Sequence, residues 1–279
     1  MSKILVPIDF SENSILALKT AIVIANKIKT DLRMVHIEPA GGHYASGFGD
    51  HTDVDEHSQD KLEALIKEYG QSYAVNGRFD YYVGKGNVAE ELINKVKYDN
   101  DVVLVVTGSH GVSGISKSWI GGNAYKLICN TTRPVLVIRE GMTYSEDFRN
   151  IAIPINISKS SRRKMPQAAG MVKLFNAQTT VIGTQTSSML SIYYRIKTAV
   201  KQVVEYLQSN GITVASTVML KGKDCMGKLF ETVAVQKADM MIVEAENTGA
   251  FFADRFRPEL TSIINNSPCP VLVVPVEYK

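Results

Sequence analysis

The feature that most constrains this chain is that it repeats itself. KILVPIDFS at residues 3–11 aligns with NIAIPINIS at 150–158, placing an apolar run, a proline, an apolar residue, Asp or Asn, and a serine in the same order. Towards the other end NTTRPVLVI at 130–138 aligns with NSPCPVLVV at 266–274, and the preceding LIC and IIN also correspond. The displacement is smaller at the second pair, so the second copy is shorter in its middle, where the first carries GGHYASGFGDHTDVDEHSQD. A repeat far longer than a solenoid unit is a duplicated domain. The 279 residues suffice for two domains that each bury a core, expected at 1–142 and 148–279.

Within the first copy, strand-like and helix-like runs alternate. ILVPI is a short continuous apolar run, the signature of a strand buried on both faces and parallel to its neighbours, with Asp9 at its carboxyl end. Ser11 or Asn13 can cap the next segment, where Ile15, Leu18, Ile22 and Ala25 recur at helical spacing. LRMVHIEP reads as a second strand, residues 41–51 as a mobile loop, and DKLEALIKEYGQSYAVNG as a helix stopping at Gly77. RFDYYVG, NVAEELINKVKYDN, VVLVVTG, the stretch from Asn123 to Cys129, and PVLVIRE complete a βαβαβαβαβ series. This predicts an α/β fold of two tandem doubly wound domains, each a five-stranded mainly parallel sheet with helices on both faces. Ligands of such sheets bind beyond the carboxyl ends of the strands, where strand order reverses. Asp9, Ile37 with Glu38, Gly84 to Asn87, and Gly108 to Gly122 are therefore expected to share one rim.

Composition narrows the function classes. With 45% hydrophobic and 21% charged residues the chain is ordinary globular protein, and a net charge of +3 gives no reason to expect nucleic acid or a membrane surface as partner. The apolar run after MSK is too short for an export signal, and no stretch approaches the roughly 20 apolar residues of a membrane span; a cytoplasmic protein is expected. Cys129, Cys225 and Cys269 fit neither a zinc site nor a redox pair and read as buried, reduced thiols.

The segment GSHGVSGISKSWIGGNAYK carries the most chemical information. It holds Gly108, Gly111, Gly114, Gly121 and Gly122 between a buried strand and a helix. Glycines there permit close approach and leave backbone amides uncovered, and amides converging at a helix start seat phosphate oxygens. Neither G-x-x-x-x-G-K-[ST] nor G-x-G-x-x-G directly after the first strand is present, which weakens a kinase or dehydrogenase reading. The spacing of Gly108, Gly111 and the Gly121-Gly122 pair, with the early PIDFS and the final RPVLVI, resembles the universal stress protein family over both halves of the chain. The usual family loop ends in Gly followed by Ser or Thr, where this chain has Gly122.

That resemblance implies ATP binding, and roles pass over by position. Pro7 and Asp9 would lie against adenosine, and the backbone of Ile37 would meet adenine. Thr107 and Gly108 would border the ribose, while Gly111, Gly121, Gly122 and Asn123 would hold the phosphates, with magnesium carried by the nucleotide. The second copy reads VEAENTGAFFADRFRPEL at the equivalent place, putting Glu246 near the position of Gly108 and leaving only Gly249. With Glu244 and Glu246 repelling phosphate and Asn156 in place of Asp9, no nucleotide is expected there. Its expected role is to pair with the first copy through the final strands, as two chains do in dimeric family members, and two whole chains can pair again.

Other features have blander readings. The glycines can serve turns alone, and Asp9 can simply cap the first helix. His110 has no evident partner that would make it a base. His43, His51 and His57 with Asp50, Asp53, Asp55 and Glu56 suggest a metal cluster, but their spacing matches no known site and reads as a solvated loop. Lys159, Arg162, Arg163 and Lys164 read as a solvated helix start, with a second anionic ligand at that rim left open. No arranged base, arginine finger or magnesium-binding pair is visible, so binding rather than turnover is expected, with slow ATP hydrolysis left open and no catalytic or metal-ligating residue assigned. The competing class is a structural or protein-interaction module of the same fold without nucleotide. A small-molecule enzyme on this frame is weaker, since fold alone gives no function.

Overall fold

The structure, a computed structural model, describes residues 2–39, 56–73, 77–109, 120–143, 146–247 and 258–277. The chain divides into two compact units, Met1–Ile138 and Arg139–Lys279.

The first unit runs β1 (Lys3–Pro7), α1 (Glu12–Ile28), β2 (Asp31–Pro39), α2 (Glu56–Tyr69), β3 (Phe79–Gly86), α3 (Val88–Tyr98), β4 (Val102–Gly108), α4 (Gly122–Asn130) and β5 (Val135–Ile138). Its five strands pair in parallel in the order β3-β2-β1-β4-β5. The chain winds outward from β1 to β3, then crosses back to β4 and β5. Right-handed crossovers therefore put α1 and α2 on one face and α3 and α4, which pack together, on the other. Strand order reverses between β1 and β4. Ile4, Leu5 and Val6 in β1 and Leu104, Val105 and Val106 in β4 are fully buried, as continuous apolar runs must be when helices cover both faces.

Two elements differ from their sequence reading. The second helix spans Glu56–Tyr69 and gives way to a 3-10 turn at Gly70–Ser72, rather than continuing to Gly77. Gly70 is a poor helix former, and the Tyr73 hydroxyl donates to the Thr30 carbonyl at 2.7 Å, drawing the chain towards the start of β2. β3 continues through Gly86, so Gly84 lies inside the strand rather than after it. Asn87 then caps α3, its Oδ1 accepting from the Glu90 N–H at 3.3 Å.

The second unit runs β6 (Asn150–Ile155), α5 (Ser160–Arg163), α6 (Met165–Leu174), β7 (Gln178–Gln185), α7 (Leu190–Ser209), β8 (Val214–Lys221), α8 (Cys225–Val235), β9 (Met240–Asn247), α9 (Pro258–Asn266) and β10 (Val271–Glu277). Its strands are parallel in the order β10-β9-β6-β7-β8, the same winding as the first unit. Here the first helix is broken into α5 and α6 next to Pro166, which cannot donate a backbone hydrogen bond. Cys129, Cys225 and Cys269 are buried, and none of them forms a disulfide among the described residues. Among the described residues, no helix is long and apolar enough to cross a membrane.

Candidate functional site

The rim of the first unit is built from the ends of β1, β2 and β4 and the starts of α1 and α4. The β1–β4 pairing ends at Leu5–Val105, two residues before Pro7, which has no N–H to donate. On the other side β1 stays tied to β2. The Ile8 N–H donates to the Val35 carbonyl at 2.9 Å, and His36 Nδ1 lies 2.7 Å from the Ile8 carbonyl. A carbonyl only accepts, so Nδ1 of His36 carries the proton.

Asp9 does not cap α1 itself. Its Oδ1 accepts from the Ser11 hydroxyl at 2.6 Å and from the Ser11 N–H at 3.1 Å, and the Ser11 Oγ in turn accepts from the Ser14 N–H at 3.2 Å. Ser11 is thus the cap, and Asn13 is not. Between them Phe10 takes a left-handed backbone, φ 63°, which costs a bulky residue of order 1–3 kcal/mol. Its ring packs on His36 at 4.9 Å, with the Lys61 ammonium 5.4 Å from the ring centre. Its aligned residue in the second unit, Ile157, is not among the positive-φ residues.

Ile37 is buried and pairs with Gly84. A Cβ on Gly84 would come within 2.9 Å of Ile37 Cδ1, so the glycine makes room for that side chain. Thr107 is buried, its hydroxyl 3.2 Å from the Gly108 carbonyl. Gly108 packs directly on the first turn of α1: a Cβ would sit 2.8 Å from the backbone carbonyl carbon and oxygen of Asn13. Ser109 is fully buried; its N–H donates to the Ile138 carbonyl at 2.9 Å and its carbonyl accepts from the Gly121 N–H at 2.7 Å. That last bond fixes the start of α4 beside the end of β4. Gly121 caps α4 and, being glycine, supplies no side-chain bond to the helix amides, and Gly122 and Asn123 are exposed in its first turn. A Cβ on Gly122 would meet nothing within 4 Å among the described residues.

The structure thus brings together Pro7, Asp9, Ile37, Thr107, Gly108, Gly121, Gly122 and Asn123 at one end of one sheet. Gly111 and His110 lie outside the described residues, as do His43, His51, Asp50, Asp53 and Asp55 of the suggested metal cluster. Phe10 and its strained backbone carried no signal in the sequence, and neither did the close approach at Gly84.

The second unit corrects two readings. Gly108 pairs with Ile138, which the repeat aligns with Val274, and Val274 pairs with Glu244. The counterpart of Gly108 is therefore Glu244, two residues before Glu246, because β9 runs on to Asn247. Lys164, expected in a solvated helix start, is fully buried. Its ammonium donates to Glu244 Oε2 at 2.7 Å and to the Pro154 carbonyl at 2.6 Å. Glu244 is therefore neutralised by the protein itself rather than left to repel an anion. Lys159, Arg162 and Arg163 are exposed, as expected. Asn156 keeps the turn that Asp9 makes, its Oδ1 accepting from the Ser158 N–H at 2.8 Å.

Comparison with known proteins bears on this geometry. The sequence model of the universal stress protein family matches residues 1–139. Universal stress protein YxiE of Bacillus subtilis (strain 168) is 28% identical over 147 residues, covering 50% of this chain and 99% of that protein. The crystal structure of a universal stress protein from Archaeoglobus fulgidus DSM 4304 superposes with a TM-score of 0.70 at 17% identity, covering 98% of each chain. A functionally unknown protein from Pseudomonas aeruginosa PAO1 does so with a TM-score of 0.61 at 14% identity, covering 99% of this chain and 93% of that one. At such identities these two structures speak for the fold alone.

Proposed function

Because the chain belongs to the universal stress protein family, we propose that its first unit binds an adenine nucleotide, ATP, at the rim of its sheet and that the chain acts as a stress-response regulator through binding rather than turnover. The observation that carries this reading is the junction of β4 with α4. The Gly121–Ser109 bond holds the first turn of α4 against the strand end, with exposed Gly122 and Asn123 and a glycine cap that puts no side chain of its own on the helix amides. Such amides and the positive helix end suit phosphate oxygens without a charged side chain. Gly108, pressed against α1, keeps the strand end bare of side chain where a ribose would lie beside Thr107. Pro7, Asp9 and the backbone of Ile37 supply the adenosine side, and the strained Phe10 next to Asp9 is the kind of backbone outlier that gathers at ligand sites. The family resemblance assigns Gly111 to the phosphates as well, and magnesium would travel with the triphosphate.

In the second unit the Lys164–Glu244 pair occupies the corresponding strand end, and that unit serves another purpose. The test is calorimetric titration of ATP with magnesium into nucleotide-free protein and into the Gly111→Val, Gly121→Val variant, with folding of the variant checked by circular dichroism. A single site in the wild type, absent from the folded variant, is expected. Absence of binding to the wild type leaves an interaction module of the same fold as the better account.

A further inference from the structure

The rim of the second unit has an open, solvent-facing cavity. It lies beside the end of β6 and between α5 and α7, with a volume of about 410 Å³, within the usual range of small-molecule sites. In the repeat alignment Phe10 gives way to Ile157 and Ile15 to Arg162. At that corner the first unit sets a phenyl ring on His36, and the second has Ile157 and a guanidinium in its place.

The lining is chemically one-sided. Arg162 and Arg195 both face the cavity and none of the lining residues is acidic. Among the described residues neither arginine has an ion pair, and Arg195 has no hydrogen-bond partner. The two amide side chains have their acceptor atoms engaged: Asn156 Oδ1 by the Ser158 N–H at 2.8 Å, and Gln202 Oε1 by Arg162 Nη1 at 3.4 Å. Their amide nitrogens remain, so beside the Thr198 and Tyr194 hydroxyls, which donate or accept, the wall offers the Arg195 fork, the rest of the Arg162 fork and two NH2 groups, all of them donors. Donors in that number outrun the two oxygens of a carboxylate and suit the three terminal oxygens of a phosphate, which guanidinium binds through paired N–H groups. Ile157 and Tyr194, 43% and 57% exposed, add an apolar wall and an aromatic face.

We propose that this cavity binds a small phosphomonoester that carries a planar or apolar group, with Arg162 and Arg195 on the phosphate and Tyr194 and Ile157 against the body. The site is separate from the nucleotide site of the first unit and does not depend on it. The test is calorimetric titration of phenyl phosphate into the full chain, the Arg162→Gln, Arg195→Gln variant, and the Gly111→Val, Gly121→Val variant. Saturable binding at one site is expected, weakened about a hundredfold in the double-arginine variant at roughly tenfold per arginine, and unchanged in the glycine variant. Inorganic phosphate should bind at least about tenfold more weakly than phenyl phosphate, because it forgoes the apolar contacts. Tyr194→Ala should remove that preference while leaving the affinity for inorganic phosphate intact, which keeps the test decisive should the double-arginine variant unfold. Failure to saturate below about 10 mM, or affinity within about twofold of wild type in the folded double-arginine variant, overturns the proposal. So does loss of binding in the glycine variant, which would put the phosphate in the first unit.

Discussion

Two glycines of one loop make opposite demands on a side chain. Gly122 faces open space and begins a helix, so Gly122→Ser is sterically free and adds a hydroxyl where the nucleotide phosphates are proposed to lie. The expected result is ATP affinity raised about fivefold, the equivalent of roughly 1 kcal/mol for one hydrogen bond, read by calorimetry. Gly108 has no such freedom. Gly108→Ala drives a methyl to 2.8 Å from the Asn13 backbone, and a loss of about 1–3 kcal/mol in urea unfolding is expected from the overpacking. The sequence showed both as glycines of a phosphate-type loop, and only the distance to α1 separates the steric glycine from the permissive one. Cys269 is legible in the same partial way. Burial pushes its thiol up to about 12, so at pH 8 almost none is thiolate and a thiol-reactive dye should leave it unlabelled until denaturant is added. The same shift favours the folded state below the unfolded thiol value of about 8.5, and that contribution is lost as pH rises from there through about 12.

At the scale of elements, the first helix of each unit shows what alternation and periodicity can and cannot convey. The strand β4 and the start of α1 follow from an apolar run and a serine cap. Ser11→Ala should cost about 1 kcal/mol in thermal or urea unfolding, because Ser11 holds the Ser14 amide and is itself held by Asp9. The matching helix of the second unit looked solvated because four basic residues crowd its start. Three of them are exposed, but the fourth, Lys164, turns inward to Glu244. No periodicity argument pairs residues 80 positions apart, and the extra length of β9 hid which glutamate occupies the strand end. Lys164→Ala should destabilise the second unit by about 3 kcal/mol, since it empties a fully buried position and leaves the mostly buried Glu244 carboxylate without its counter-ion. Lys164→Met with Glu244→Leu should recover most of that loss, and a double-mutant cycle in urea separates the two cases.

For the whole molecule, duplication made the architecture readable: two alignments and a βαβ rhythm suffice for two parallel sheets with the same winding. What the repeat could not convey is how far the copies have diverged at their rims, because this depends on side chains meeting across elements. The proposed division of labour has a direct readout. With ATP at about 100 times its dissociation constant, linkage stabilises the bound state by about 2.7 kcal/mol. Amide hydrogen exchange should then slow at Ile8–Asp9, Ile37, Thr107–Ser109 and Gly121–Asn123 of the first unit, with no matching change at Asn156, Thr184 or Glu244 of the second.

The lysine at the heart of the second unit also bears on how that unit could ever change back. Placing a glycine at position 244 by a single step, to match Gly108 of the first unit, would leave Lys164 fully buried with the Pro154 carbonyl as its one remaining partner among the described residues. A buried ion deprived of its counter-ion costs about 3–5 kcal/mol, a large share of the roughly 5–15 kcal/mol that holds a domain folded. Replacing the lysine first strands the glutamate instead. Both one-step routes cross a destabilised intermediate, so the charge pair works as a ratchet that holds the two copies apart.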